Sequence, residues 1–136
     1  MTDDAIDVLF RAAQAARAQA YAPYSRFSVG AALITPEGAI HAGCNVENAA
    51  YPVGTCAEAG AISAMIAGGG RVIAAILVLG GGEGLCTPCG ACRQRIREFA
   101  ADDAPVIVAG SEGVRHRFTL GELLPASFGP ENLARG

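Results

Sequence analysis

The sequence predicts a three-layer α/β/α sandwich on a mixed five-stranded sheet. Three observations carry that expectation. Helix-period and strand-period segments alternate along the chain in the order αββαβαβ. Two of the strands, "RVIAAILVLG" from Arg71 and "APVIVAG" from Ala104, are continuous apolar runs, which suits strands covered on both faces. The chain has 136 residues, 51% of them hydrophobic, enough for a real core within a single domain spanning residues 1–136.

The elements follow in order. "AIDVLFRAAQAARAQA" reads as an amphipathic helix, with Ile6, Leu9, Phe10 and Ala13 at helical spacing. Thr2 is a weak N-cap signal, because Ala5 rather than Glu stands three residues later. Pro23 in "YAPYSRF" ends this helix. "FSVGAALIT" and "AIHAGCNVE" flank the turn Pro36-Glu37-Gly38 and read as a hairpin. The polar loop "NVENAAYPVGT" leads to "CAEAGAISAMIAGGG", a helix ended by glycines at 68 to 70. After the first buried strand, "GGEGLCTP" is a loop and "CGACRQRIREFA" a third helix. "VRHRFTL" supplies a short edge strand, and "LGELLPASF" a short helix and tail. There is no repeat, linker or low-complexity tract.

Composition excludes several partners. The net charge is -3 and the pI about 5.3, with positive charge scattered singly on arginines. That argues against a nucleic-acid backbone. The acidic start "MTDDAID" does not begin a signal peptide. The apolar run from Val72 is shorter than the roughly 20 residues a bilayer requires. The expectation is a cytoplasmic protein with reduced thiols, in which five cysteines point to metal or catalysis before disulfides. Mean hydropathy is +0.33. Two explanations stand side by side: apolar surface buried between subunits, or an alanine-rich interior.

The chemistry centres on cysteine. Cys89 and Cys92 in "PCGAC" share one helix face if the helix starts near Cys89, and Pro88 suits such a start. A helix N-terminus also stabilises thiolates. The third sulfur is Cys56 in "TCAE", again at a predicted helix start. Three ligands leave a fourth position open, as in a catalytic zinc site. Glu58 lies two residues on, placed to move protons between a zinc-activated water and a substrate nitrogen. Other readings remain at this point. The pair could be a redox couple, or His41 or His116 could close a structural zinc site. Cys86 offers a second Cys-x-x-Cys with Cys89, although Pro88 between them argues against one continuous helix. Cys44 and Cys86 otherwise read as small apolar residues.

"CAE" with "PCGAC" matches the signature of the zinc nucleobase deaminases. The blocks "YAPYSRFSVGAAL", "NVENAAYP", "TCAEAGAI", "PCGACRQ" and "ELLPASF" have the order and spacing of the small homotetrameric cytidine deaminases, so nearly the whole chain resembles that family. The resemblance implies hydrolysis of cytidine and deoxycytidine to uridine and deoxyuridine with release of ammonia, in pyrimidine salvage. It implies one zinc per chain on Cys56, Cys89 and Cys92, attack of zinc-bound hydroxide on C4, and Glu58 as proton shuttle. It implies Asn45 and Glu47 on the ribose hydroxyl, Phe27 on the pyrimidine face, and the Ala57 backbone at the base edge. Tyr51 and Phe128 correspond to aromatics that reach a neighbour's site in a homotetramer. The implied partners are a nucleoside and further copies of the chain, with no nucleic acid and no membrane.

One position departs from the pattern. The family usually reads Cys-Ala-Glu-Arg, and residue 59 here is alanine. Three thiolates around a dication leave a net negative site that nearby cations should offset. Arg93, matching the family's second arginine, is the expected compensating charge. The same departure brings in a rival, a blasticidin S or modified-cytidine deaminase. Outside enzymes the alternative is a zinc-stabilised binding module.

Overall fold

The computed structural model describes residues 1–133. Helix α1 (Asp3–Arg17) is capped by Thr2, whose hydroxyl accepts from the Ala5 N–H at 3.2 Å. The cap therefore forms without the glutamate that would complete a capping box. Strands β1 (Gly30–Ile34) and β2 (Ile40–Cys44) make the expected hairpin, and Gly38 at φ +90° supplies the left-handed turn residue. Then come α2 (Ala57–Ala67), β3 (Ala75–Leu79), α3 (Gly90–Arg97), β4 (Pro105–Gly110), β5 (Gly113–Thr119) and α4 (Leu120–Leu123).

The strands form one mixed sheet in the order β2-β1-β3-β4-β5. Only β3 and β4 pair in parallel, joined by the crossover through α3; the other neighbours are antiparallel. The expected architecture is borne out. Helix α1 covers one face of the sheet, while α2 and α3 pack together on the other. On the α1 side Leu9 and Ala13 meet Ala32, Leu77 and Ile107. On the opposite side Ala57, Ala61, Met65 and Ile96 meet Leu33, Ile76 and Val106. Alternate residues of each strand serve the two cores, which is why β3 and β4 read as unbroken apolar runs.

The strands are shorter than the apolar runs suggest. Phe27 to Val29 precede β1, and Arg71 to Ala74 precede β3. In both segments the chain is entering the sheet from a loop, where hydropathy does not distinguish paired from unpaired backbone.

Small residues permit close layering. A Cβ on Gly43 of β2 would fall onto the α2 backbone at Ala57 and Ala61. Helix α2 therefore lies closer to the sheet than a bulky pair would allow. Much of the high hydropathy is this alanine-lined interior.

The register sets the position of the site. Gly30 pairs with Cys44 on one side and Leu79 on the other. The start of β1 and the ends of β2 and β3 thus lie at the same edge of the sheet. The loops carrying residues 20–29, 45–56 and 80–89 meet there, next to the N-termini of α2 and α3.

Candidate active site

Cys56 is the N-cap of α2 and Cys89 the N-cap of α3; both have extended backbone and no side-chain cap bond. Both sulfurs thus stand at helix ends, where unpaired N–H groups favour negative charge. Cys92, one turn into α3, is fully buried. The Cys56 and Cys92 sulfurs and a Glu58 carboxylate oxygen lie within 4.8 Å of one another. Cys89 falls outside that trio and is exposed. His41 and His116 fall outside it too; the His116 ring packs on Phe118 at 4.3 Å.

The electrostatics match metal chemistry. Cys56 is lowered to about 6, first by its hydrogen bond with Cys92 and then by the Ala59 N–H and Arg95, against the cost of burial. Cys92 is pushed upward by the same hydrogen bond and by burial. The two sulfurs are hydrogen-bonded to each other, and a bound cation would displace the proton between them. Glu58 is 5% exposed, and burial raises it to about 6, with the Cys56 charge adding to the shift. Soft sulfurs on two rigid helix starts beside a buried carboxylate suit zinc.

Arg93, the expected compensating charge, makes its hydrogen bonds to oxygen atoms rather than to sulfur. Arg93 donates through Nε to the Pro88 carbonyl at 2.7 Å and through Nη1 to the Leu123 carbonyl at 2.9 Å. Its Nη2 faces the Thr87 hydroxyl at 3.3 Å. These bonds fix the turn before α3 and the end of α4, and commit the guanidinium away from the sulfurs. The arginine that reaches the sulfurs is Arg95: its Nη1 lies 3.7 Å from Cys56 Sγ and 3.5 Å from Cys92 Sγ. The signal was available in the spacing. Residue 95 is three after Cys92 and shares its helix face, whereas residue 93 is adjacent and does not.

A cleft of ≈ 470 Å³ opens beside Cys56, lined in part by Tyr24, Ser25, Asn45, Glu47, Tyr51 and Thr55. Asn45 accepts from the Val29 N–H at 2.9 Å and donates to the Phe27 carbonyl at 2.8 Å. Glu47 accepts from the backbone N–H groups of Tyr24 and Ser25 at 2.9 and 3.1 Å, and from the Ser25 hydroxyl. Those bonds hold Glu47 below the usual carboxylate range, the Ser25 hydroxyl first among them. Both residues therefore shape the loop before β1. Tyr24 and Ser25, which the sequence reading passed over, become part of the cleft wall. The Tyr24 and Tyr51 rings meet edge to face at 5.9 Å. Ala57 is the buried first residue of α2. Phe27 is exposed, and Cys86 packs where a Cβ on Gly80 would stand, close to the Phe27 ring. Phe128 lies apart on the tail, its carbonyl held by Gln94 Nε2 at 2.9 Å.

The family model for the cytidine and deoxycytidylate deaminase zinc-binding region matches residues 4–108. The chain belongs to the cytidine and deoxycytidylate deaminase family. The cytidine deaminase of Sporosarcina psychrophila is 42% identical over 129 residues, covering 95% of each protein. The crystal structure of cytidine deaminase from Burkholderia pseudomallei superposes with a TM-score of 0.85 at 45% identity, covering 94% of this chain and 100% of that one. That of cytidine deaminase from Mycobacterium tuberculosis gives 0.80 at 36% identity, over 95% and 99%. This deaminase chain is a zinc protein: the matched region is the family's zinc-binding region, and the Cys56–Glu58–Cys92 trio lies inside it.

Proposed function

We propose that the chain, acting as one deaminase domain, hydrolyses cytidine and deoxycytidine to uridine and deoxyuridine with release of ammonia, in pyrimidine salvage. The observation that carries this reading is the buried Glu58 carboxylate within 4.8 Å of two cysteine sulfurs. Its relatives of nearly full length named cytidine deaminase support the substrate class.

Cys56, Cys89 and Cys92 would hold the metal, with Cys89 completing the set from the N-cap of α3. Bound zinc supplies a Lewis acid that lowers the pKa of water from about 15.7 toward ~7. Glu58 does the proton work. Its burial raises its proton affinity above that of an ordinary carboxylate, which suits a group that must both accept and return a proton. It takes a proton from the attacking water as the O–C4 bond forms, and protonates N3. It then takes the second proton from the resulting C4 hydroxyl and delivers it to the exocyclic amine, as the C4=O bond forms, the C4–N bond breaks and ammonia leaves.

Ala57, at the first position of α2, has a backbone N–H without an intrahelical partner and can meet the base edge. Beyond their loop bonds Asn45 keeps an amide N–H donor and both residues keep acceptor lone pairs, which suits a ribose hydroxyl. Phe27 offers a ring for the pyrimidine face. Tyr51 and Phe128, 75% and 58% exposed, fit aromatics completed by neighbouring copies in a homotetramer. Thiolate ligands favour the reducing cytoplasm.

A substrate panel followed by absorbance, with ammonia quantified, tests the reading. Turnover should be highest on cytidine and deoxycytidine. Preference for blasticidin S or N4-substituted cytidines would replace the substrate assignment. One zinc per chain with no turnover on any cytosine compound would favour a binding module.

A further inference from the structure

We propose that Arg95, reaching across from α3, is the positioning residue that offsets the charge of the Cys56 and Cys92 thiolates and sets their spacing. The inference rests on the zinc reading above. One guanidinium nitrogen contacts sulfurs from two different helices, at 3.7 and 3.5 Å. Thiolates crowded around a dication carry excess negative charge, and a neighbouring cation relieves it. Contact with both sulfurs also ties the start of α2 to the second turn of α3.

Two features make this assignment specific to Arg95. No described ion pair uses it: Arg97 pairs with Asp102 and Glu131, and Arg115 with Glu112. Its side chain lies in a recess of ≈ 360 Å³ between α2 and α3, lined also by Ala59, Ser63 and Glu98. Ala59 ends at Cβ, so the recess stays open and the α3 arginine can enter from the solvent side. Arg95 is exposed, so the sulfurs rather than packing direct its guanidinium. Arg93, by contrast, is held by carbonyl oxygens.

The test compares Arg95→Met, Arg95→Lys and the double substitution Ala59→Arg/Arg95→Met with the wild-type chain. Three quantities are read: zinc affinity by chelator competition, the thiolate-to-metal absorption band of the cobalt-substituted protein, and the melting temperature after metal removal. Arg95→Met should weaken zinc binding by roughly 10-fold or more, the usual size of an outer-partner effect. It should move the cobalt band to lower energy, because a thiolate without its hydrogen bond is the better donor. The metal-free melting temperature should stay put, since the residue is exposed. Arg95→Lys should recover part of the affinity, and an arginine at position 59, which starts in the same recess, should recover more. Wild-type affinity and an unmoved band in Arg95→Met would overturn the assignment alone. So would an affinity loss matched by an equal loss of metal-free stability. A wild-type chain that takes up no zinc would overturn the zinc reading, and this assignment with it.

Discussion

Glu58 and Arg93 show how far adjacency in sequence carries at the scale of single residues. Glu58 follows Cys56 by two positions, and the tight first turn of α2 brings the carboxylate to the sulfurs, as its spacing implied. Arg93 follows Cys92 by one and points elsewhere, because neighbours on a helix diverge by about 100°. Arg93→Ala should cost stability, about 1–3 kcal/mol by denaturant titration, since it leaves partly buried carbonyls without a donor. The cobalt band should be unchanged; a shifted band would return Arg93 to the thiolates. The ligand assignment is separable in the same way. Cys89→Ala should lower zinc content measured by metal analysis, and Cys86→Ala should not. Full zinc occupancy in Cys89→Ala would move the third ligand to Cys86, which lies half-buried across the loop.

At the scale of elements, the helix starts were the most legible feature. Cys56 and Cys89 are N-caps, within a residue of the starts read from "TCAE" and "PCGAC". The loops were less so, because their shape is set by long-range hydrogen bonds that leave no periodicity. Glu47 binds Tyr24 and Ser25 from more than twenty residues away, and nothing local in "NVEN" announces that contact. Glu47→Ala should release the Tyr24–Ser25 turn and raise KM for cytidine by about tenfold, the equivalent of ~1.4 kcal/mol. Faster amide exchange at Tyr24 and Ser25 would accompany it. The sign of the pH effect follows from the lowered pKa of Glu47. Protection of those two amides should be complete above the ordinary glutamate range and lost as pH falls through the lowered value. In the sheet, Gly43→Ala pushes a methyl group into the α2 backbone. It should destabilise by roughly 1–3 kcal/mol and lower zinc affinity as the N-terminus of α2 shifts.

For the whole molecule, the layer order was legible because each strand carries a distinct burial code. Strands β3 and β4 are apolar throughout, whereas β5 carries Arg115, His116 and Arg117 at the edge and has no fully buried residue. What lies beyond one chain was not legible from composition. The same hydropathy arises from an alanine-rich interior and from surfaces between copies, and the fold contains at least the first. Tyr51, Val53, Phe128 and Leu133 remain exposed for the second. Among the described residues no helix is long and apolar enough to cross a membrane. Sedimentation should show a tetramer. Phe128→Ala should reduce turnover by more than its distance from Glu58 on the same chain would suggest; a fully active monomer would remove the composite-site reading.

The central claim is that Glu58 moves the protons of a zinc-dependent hydrolysis without itself being needed to hold the zinc. The most direct measurement is cytidine turnover by Glu58→Gln alongside its zinc content. The expected result is wild-type zinc loading with turnover lower by about 10²–10⁴-fold, the range of a general acid–base group. Retained turnover at full zinc loading would contradict the account.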